Sequence, residues 1–245
     1  MASLPSIIVY DTAGHDGRIW SHHTLRILYV LHRKGLTYTI EPVEYPDIEA
    51  TFAPTSLPAK ADPVEPYELP VLRFQAQGTE DLYLMDPPGI IAKLDELVPE
   101  PRLSATSPRA AEARAIFFPA LAPLLQAAVG HVPSVLSDRS RQGFLAKRKA
   151  RWGKTLDEWV AERPLENQLK TAEPRLLQLE EWLEQGSEGP FIDGHEPGYA
   201  DMTIVSILEF VRLVGETEAF NVAMRHKAIA RLYDALSEKN VANSF

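Results

Sequence analysis

Residues 7–35 read IIVYDTAGHDGRIWSHHTLRILYVLHRKG, and this stretch decides the fold. Ile7, Ile8 and Val9 form a β-branched apolar run of strand length. A glycine-containing loop follows, and then Ser21 precedes a helical pattern. Leu25, Leu28 and Leu31 recur at helical period with Ile27 and Val30 beside them, a stripe wide enough to be buried on most sides. Gly35 supplies the stop, and Arg33 and Lys34 stand where the negative end of the helix dipole favours cations. Ser21 therefore sits at or just before the first turn, where unpaired N–H groups and the positive dipole end can hold an anion. The plain reading of Ser21 is a helix N-cap.

Outward from this unit, residues 37–43 alternate as a second strand whose Pro42 places it near a sheet edge. The proline-rich segment that follows has room for one short helix over 47–52. A strand through Leu69, Val71, Leu72 and Phe74 and another over 82–85 make a hairpin with Gly78 in the turn. Asp86 then caps a helix that starts at Pro87 or Pro88. Beyond Val98 a proline-punctuated linker ends the strand signals. An alanine-rich helix from Pro108 to about Val129, kinked at Pro119 and Pro123, opens an all-helical half. Amphipathic stretches over 137–163 and 175–184 come next. Ile204, Ile207, Leu208 and Val211 mark a core helix, and a last helix spans about 223–236.

Composition narrows the function. A net charge of −9 leaves no basic surplus for phosphate contacts, so nucleic acid is not an expected partner. The cluster Lys147-Arg148-Lys149 with Arg151 reads as a solvated helix face. No stretch is read as a membrane span and the N-terminus lacks signal-peptide order, which makes the cytoplasm the expected location. With zero cysteines there is no disulfide, no thiolate metal site and no cysteine nucleophile, and no metal is called for. Thiol chemistry must use a thiol brought by the ligand.

Five marks together resemble the glutathione transferase superfamily: Ser21 at the first helix, the Leu69-Pro70-Val71 step, Asp86 after the last strand, the linker, and Pro190-Phe191 through Asp201 entering a buried helix. Within it, GRIWSHHTLRILYVLHRKGLTYTIEPVEYPDIE and HVPSVLSDRSRQGFLAKRKARWGKTLDEW look like the fungal etherase-related class called FuA, which is similar to bacterial lignin β-etherases. The resemblance implies an α/β thioredoxin-like domain (βαβ-ββα) that binds glutathione over 1–98, a linker over 99–107 and an all-α domain over 108–245. It also implies a homodimer.

For the site, the resemblance implies glutathione as co-substrate, with Ser21 donating a hydrogen bond to its sulfur. The proline matching Pro70 follows a cis peptide bond, and Val71 beside Leu69 pairs with the cysteinyl backbone. Asp86 lies near the γ-glutamyl ammonium, although it equally suits its own helix as a cap. Where relatives have a serine after that acid, Pro87 stands here and offers neither hydroxyl nor N–H. His22-His23 replace Pro-Asn. His23 could donate to the sulfur and, if protonated, strengthen the positive field, or it is a solvated surface histidine. Lys60 is a candidate for the glycine carboxylate. Trp20, Phe117 and Phe118 stand where the acceptor site of such proteins lies, although core packing also explains the two phenylalanines. Asp201 can reach back to the N–H of Gly198, which has no side chain to return the bond. Two functions compete: a serine-type transferase acting on aromatic or hydrophobic electrophiles, aryl ethers among them, and a ligandin-like carrier of aromatic molecules with little turnover.

Overall fold

Strand β1 (Ser6–Asp11) lies inside the sheet, and Ile7, Ile8, Val9 and Tyr10 are all buried, so both of its faces are covered. The computed structural model describes residues 4–12, 14–103, 107–186 and 188–239. Helix α1 (His22–Arg33) carries the chain over to β2 (Thr39–Pro42), which pairs parallel to β1 with Ile8 opposite Thr39. A 3-10 turn (Tyr45–Asp47) and α2 (Ile48–Phe52) follow. Next come β3 (Val71–Gln75) and β4 (Leu82–Leu84), an antiparallel hairpin with Gly78 at φ 81° in its turn. Pairing of Val9 with Leu72 docks the hairpin on β1 and gives the order β2-β1-β3-β4. Helix α3 (Pro87–Leu97) completes the βαβ-ββα pattern. On one face Ile8 and Tyr10 pack with Phe52, Leu57 and Tyr67 from the proline-rich segment, with the Tyr10 and Phe52 rings edge-on at 5.3 Å. That segment is thus held down by aromatic packing.

The helices that follow are α4 (Pro108–Ala128), α5 (Val132–Val135), α6 (Asp138–Trp152), α7 (Leu156–Ala161), α8 (Leu165–Glu184), α9 (Tyr199–Leu213), α10 (Thr217–Met224) and α11 (Lys227–Lys239). Residues 104–106 of the expected linker lie outside the described residues. The fold class is the expected one, a mixed-sheet domain and then helices. By compactness, however, the chain divides into one unit holding the residues up to Arg102 together with Val135–Thr155, and a second holding Leu103–Ser134 and the residues from Leu156 onward.

Helix α6 therefore belongs with the sheet, and short-range chemistry explains why. Ser137 caps α6 by accepting from Ser140 N, and the hydroxyls of Ser137 and Ser140 both donate to the Glu44 carboxylate. Tyr45 N donates to Ser140 Oγ at 3.0 Å, and Arg139 pairs with Asp47. The Phe144 ring meets Tyr45 edge-on at 5.6 Å. Gly143 permits this approach: a Cβ there would lie 2.9 Å from Tyr45 Cβ and 3.0 Å from Pro46 Cδ. Gly143→Ala is expected to cost about 1–3 kcal/mol by overpacking, read as a lower thermal midpoint. A midpoint equal to or above wild type would mean that α6 does not depend on this contact.

In the helical unit, α4 packs on α8 and α9 with Phe117, Leu121 and Leu124 buried. Contrary to the sequence reading, the run Pro108–Val135 is long and apolar enough, by length and composition alone, to cross a membrane. Its packed face is that of a core helix in a bundle. Helix α4 continues through Pro119 and Pro123. Pro123 has no N–H for the Pro119 carbonyl, and Arg175 of α8 donates to that oxygen instead, at 3.1 Å. Two other expectations change. Helix α8 begins at Leu165, ahead of residue 175, and the last helix is two, because Glu180 accepts from His226 and from Ala228 N at the break. Asp201 accepts from Gly198 N at 2.8 Å and from Ile192 N at 2.9 Å, so the one-sided cap is present and tied to a turn as well.

Candidate functional site

The carboxyl end of β1, the loop into α1 and the first turns of α1 border a cavity of about 410 Å³ within the first unit. Asp11, Thr12, Trp20, Ser21, His23 and Arg26 form this side. Tyr45 and Ile48 close a second side, and Glu65 through Pro70 a third, with Pro87 beside them. Lys147, Arg148 and Arg151 of α6 complete the wall.

Ser21 is the N-cap residue of α1, with φ −68° and ψ 123°, and its carbonyl accepts from Leu25 N at 2.8 Å. Its hydroxyl makes no capping bond. The side chain is therefore not engaged as a helix cap, and it stands on the cavity wall at the positive end of the helix dipole. This geometry can place a hydroxyl donor and a partial positive charge beside one anion.

His22 and His23 stack with ring centroids 3.9 Å apart. Arg26 Nη2 lies 3.0 Å from His23 Nδ1, and since a guanidinium only donates, Nδ1 must accept and the neutral ring carries its proton on Nε2. His23 keeps an exposed surface, as the solvated reading expects, and desolvation of its ring with the charges of Arg26, Lys60 and Arg148 lowers it below the ordinary imidazole value. His22 is also held well below its ordinary value by desolvation. Near neutrality His23 is an uncharged donor, and the protonated state the sequence left open is disfavoured.

The peptide bond between Leu69 and Pro70 is cis, and both residues line the cavity. Val71 is fully buried in β3 opposite Tyr10 and is not part of the lining. The Asp86 carboxylate accepts from Gly89 N at 2.7 Å as the cap of α3, while Pro87 reaches the wall. Lys60 pairs with Glu68. Trp20 is buried at the wall. In the helical unit Phe117 is 3% exposed, whereas Phe118 is 43% exposed beneath the Arg114 guanidinium. The structure thus gathers Trp20, Ser21, His23, Leu69, Pro70 and Pro87 around one cavity.

Sequence reasoning missed Asp11, Tyr45 and the basic face of α6. The cluster read as solvated instead points Lys147, Arg148 and Arg151 at the cavity. Arg151 donates to Glu65 at 2.7 and 3.0 Å and to Asp62 at 2.8 Å, and Arg148 lies 4.9 Å over the Phe144 ring. Desolvation lowers Lys147 below the usual amine range and pushes Tyr45 up to about 12. The available signal was the spacing of Phe144, Lys147, Arg148 and Arg151, which puts aromatic and cationic groups on one helical face. Among the described residues no group of three His, Asp or Glu is placed to hold a metal ion.

Residues 110–238 match the family described as Glutathione S-transferase, C-terminal domain. The chain is 27% identical over 214 residues to the glutathione S-transferase-like protein ustS of Aspergillus flavus, covering 82% of this chain and 78% of that protein. Its fold is similar to the crystal structure of glutathione transferase GSTFuA3 from Phanerochaete chrysosporium, with a TM-score of 0.81 at 26% identity over 98% of this chain and 100% of that one. It is also similar to the glutathione S-transferase CsGST63524 of Ceriporiopsis subvermispora, solved in complex with glutathione, with a TM-score of 0.75 at 25% identity over 98% and 100%.

Proposed function

As this chain belongs to the glutathione S-transferase family, we propose that the cavity at α1 binds glutathione and that Ser21 activates its thiol for attack on an aromatic or hydrophobic electrophile. One observation carries the reading: Ser21 lines the cavity at the N-cap of α1, and its hydroxyl makes no capping bond. A free thiol ionises near 8.5, and each unit by which donor and dipole lower it corresponds to about 1.4 kcal/mol. Ser21 acts as a hydrogen-bond donor to the thiolate. The neutral His23 ring, with its proton on Nε2, supplies a second donor. The thiolate then attacks an electrophilic carbon and displaces a leaving group such as an aryloxide.

Leu69, Pro70 and Val71 present the strand end that pairs with the cysteinyl backbone of glutathione, and Asp86 faces its ammonium group. Lys60 meets the glycine carboxylate. Trp20, on the wall of the same cavity, contacts the acceptor. Residues 1–98 form the glutathione-binding domain and 108–245 the helical domain of a cytoplasmic homodimer that needs no metal, nucleic acid or membrane. The glutathione bound in CsGST63524 supports this assignment by similarity.

Pro87 favours a second reading. It stands on the wall without an N–H or a hydroxyl for the γ-glutamyl carboxylate, which suits a carrier of aromatic molecules with weakened glutathione binding. Calorimetric titration with glutathione, alone and after saturation with a hydroxylated diaryl compound, separates the two. Binding at micromolar to low millimolar strength is expected. Aromatic binding with no glutathione heat would assign the protein to the carriers.

A further inference from the structure

The cavity contains one acid that the proposed chemistry does not use. Asp11, the last residue of β1, lines the cavity and is 1% exposed. Its Oδ1 accepts from Thr24 Oγ1 at 2.6 Å and the Thr12 backbone N–H also approaches the carboxyl, whereas its buried Oδ2 makes no hydrogen bond of normal geometry. Thr24 lies one turn beyond Ser21 on the same face of α1, so this bond clamps the carboxyl against the turn that carries the Ser21 hydroxyl. An oxygen buried without a partner carries the full desolvation penalty of an unmade bond, and a larger one when charged. Such an oxygen calls for an explanation, and a place on a cavity wall offers one.

Resting on the glutathione reading above, we propose that Asp11 is the proton carrier of the site: its Oδ2 takes the proton of the glutathione thiol and returns it to the departing oxygen of the acceptor. The atoms balance in two steps. The S–H bond breaks and an O–H bond forms on Asp11, leaving thiolate beside Ser21 and a neutral carboxyl. The sulfur then bonds to the acceptor carbon, the carbon–oxygen bond breaks with its electron pair going to oxygen, and the Asp11 proton passes to that oxygen. Asp11 is a carboxylate again, and the products are a thioether and a hydroxyl compound. A halide leaving group needs no such proton.

Desolvation by burial raises Asp11 to about 6 against the opposing bonds from Thr24 and the Thr12 backbone, so near neutrality it is a base that can hold a proton. The charged and titratable groups around the same cavity are His23 and Arg26 of α1, Tyr45, Glu65, Tyr67 and Glu68 of the segment between β2 and β3, and Lys147, Arg148 and Arg151 of α6. Of these, Tyr45 responds to the Asp11 charge.

The test counts protons. Glutathione is titrated into the full chain near neutral pH in buffers of different ionisation enthalpy while thiolate absorbance is followed. Thiolate is expected with clearly less than one proton released to the buffer per thiolate formed, the shortfall growing as the pH is lowered toward 6, because Asp11 takes up the rest. In Asp11→Asn, which keeps the shape and an acceptor for Thr24, thiolate formation is expected to release close to a full proton. With an aryl ether acceptor that variant is expected to lose roughly a hundredfold in turnover, the scale of a general acid, but less than tenfold with an aryl halide. Wild-type thiolate accompanied by full proton release overturns the role of Asp11 alone, and needs no variant to fold. Equal losses for the two acceptors also overturn it, since a purely structural Asp11 would not distinguish leaving groups. Absence of glutathione binding removes the site reading and this inference together.

Discussion

Ser21→Ala lowers kcat/KM for glutathione conjugation at pH 7 by roughly a hundredfold, the scale expected when one preorganised donor to an anion is lost. In a site where Ser21 holds the thiolate, that loss appears as an upward shift of about two units in the ionisation of the bound thiol, near 2.7 kcal/mol. The pH profile gives the sign. Below the wild-type thiol pKa both proteins are limited by thiolate and differ by the full factor, and above the shifted value the variant recovers because its thiol ionises unaided. Glutathione affinity changes by no more than a few fold, since most of the ligand contacts other residues. Stability serves as a control. The Ser21 side chain makes no capping bond, so the variant falls short of the roughly 1 kcal/mol that loss of a helix cap costs. Thiolate absorbance against pH and a thermal melt measure both, and superimposable profiles would refute the assignment.

The frame of the first unit was legible because residues 7–35 specify a strand, a cap and a helix by patterns only a few residues long. The parallel pairing of β1 with β2 then follows from the crossover helix, and the hairpin from Gly78. The order of helices was less legible. The two prolines of α4 read as kinks and the amphipathic stretch of α8 as starting only at residue 175, yet α4 continues, α8 runs from Leu165 through Pro174, and at Pro119 the orphaned carbonyl is satisfied by Arg175 from another element. Local propensity cannot register a donor that arrives from 56 residues away.

The same distance separates what was and was not visible in the site. Ser21, Leu69, Pro70 and Pro87 announced themselves by their position relative to strand ends and helix starts. Lys147, Arg148 and Arg151 did not, because their companions Asp62 and Glu65 are distant in sequence and a charged helix face reads as solvated. Asp11 was passed over for a related reason. Its sequence signal is one acid ending a strand, and its chemistry comes from burial and from the unused Oδ2, which exist only once β1 and α1 are packed.

Lys34 was read as a cation favouring the dipole at the end of α1, a matter of a few tenths of a kcal/mol, and burial makes it far more consequential. Its ammonium side chain is fully buried, 2.8 Å from Asp95 Oδ1, and donates to the carbonyls of Val98 at 2.6 Å and Pro101 at 3.0 Å. One cation thus ties the end of α1 to α3 and to the chain leaving it. Lys34→Met keeps the stem and removes the charge facing the nearly buried Asp95 carboxylate, and is expected to cost about 3–5 kcal/mol, the penalty for breaking a buried pair from one side. In a chain of this size that is a fall of roughly 10 °C in the thermal midpoint. Removing the acid as well, as Lys34→Met with Asp95→Leu, is expected to restore more than half of the loss, because the desolvated charge goes too. The remainder, less than half of the loss, is the two carbonyls left without their donor. A double variant no more stable than the single one would mean that the bonds to the carbonyls, and not the ion pair, hold the two helices together.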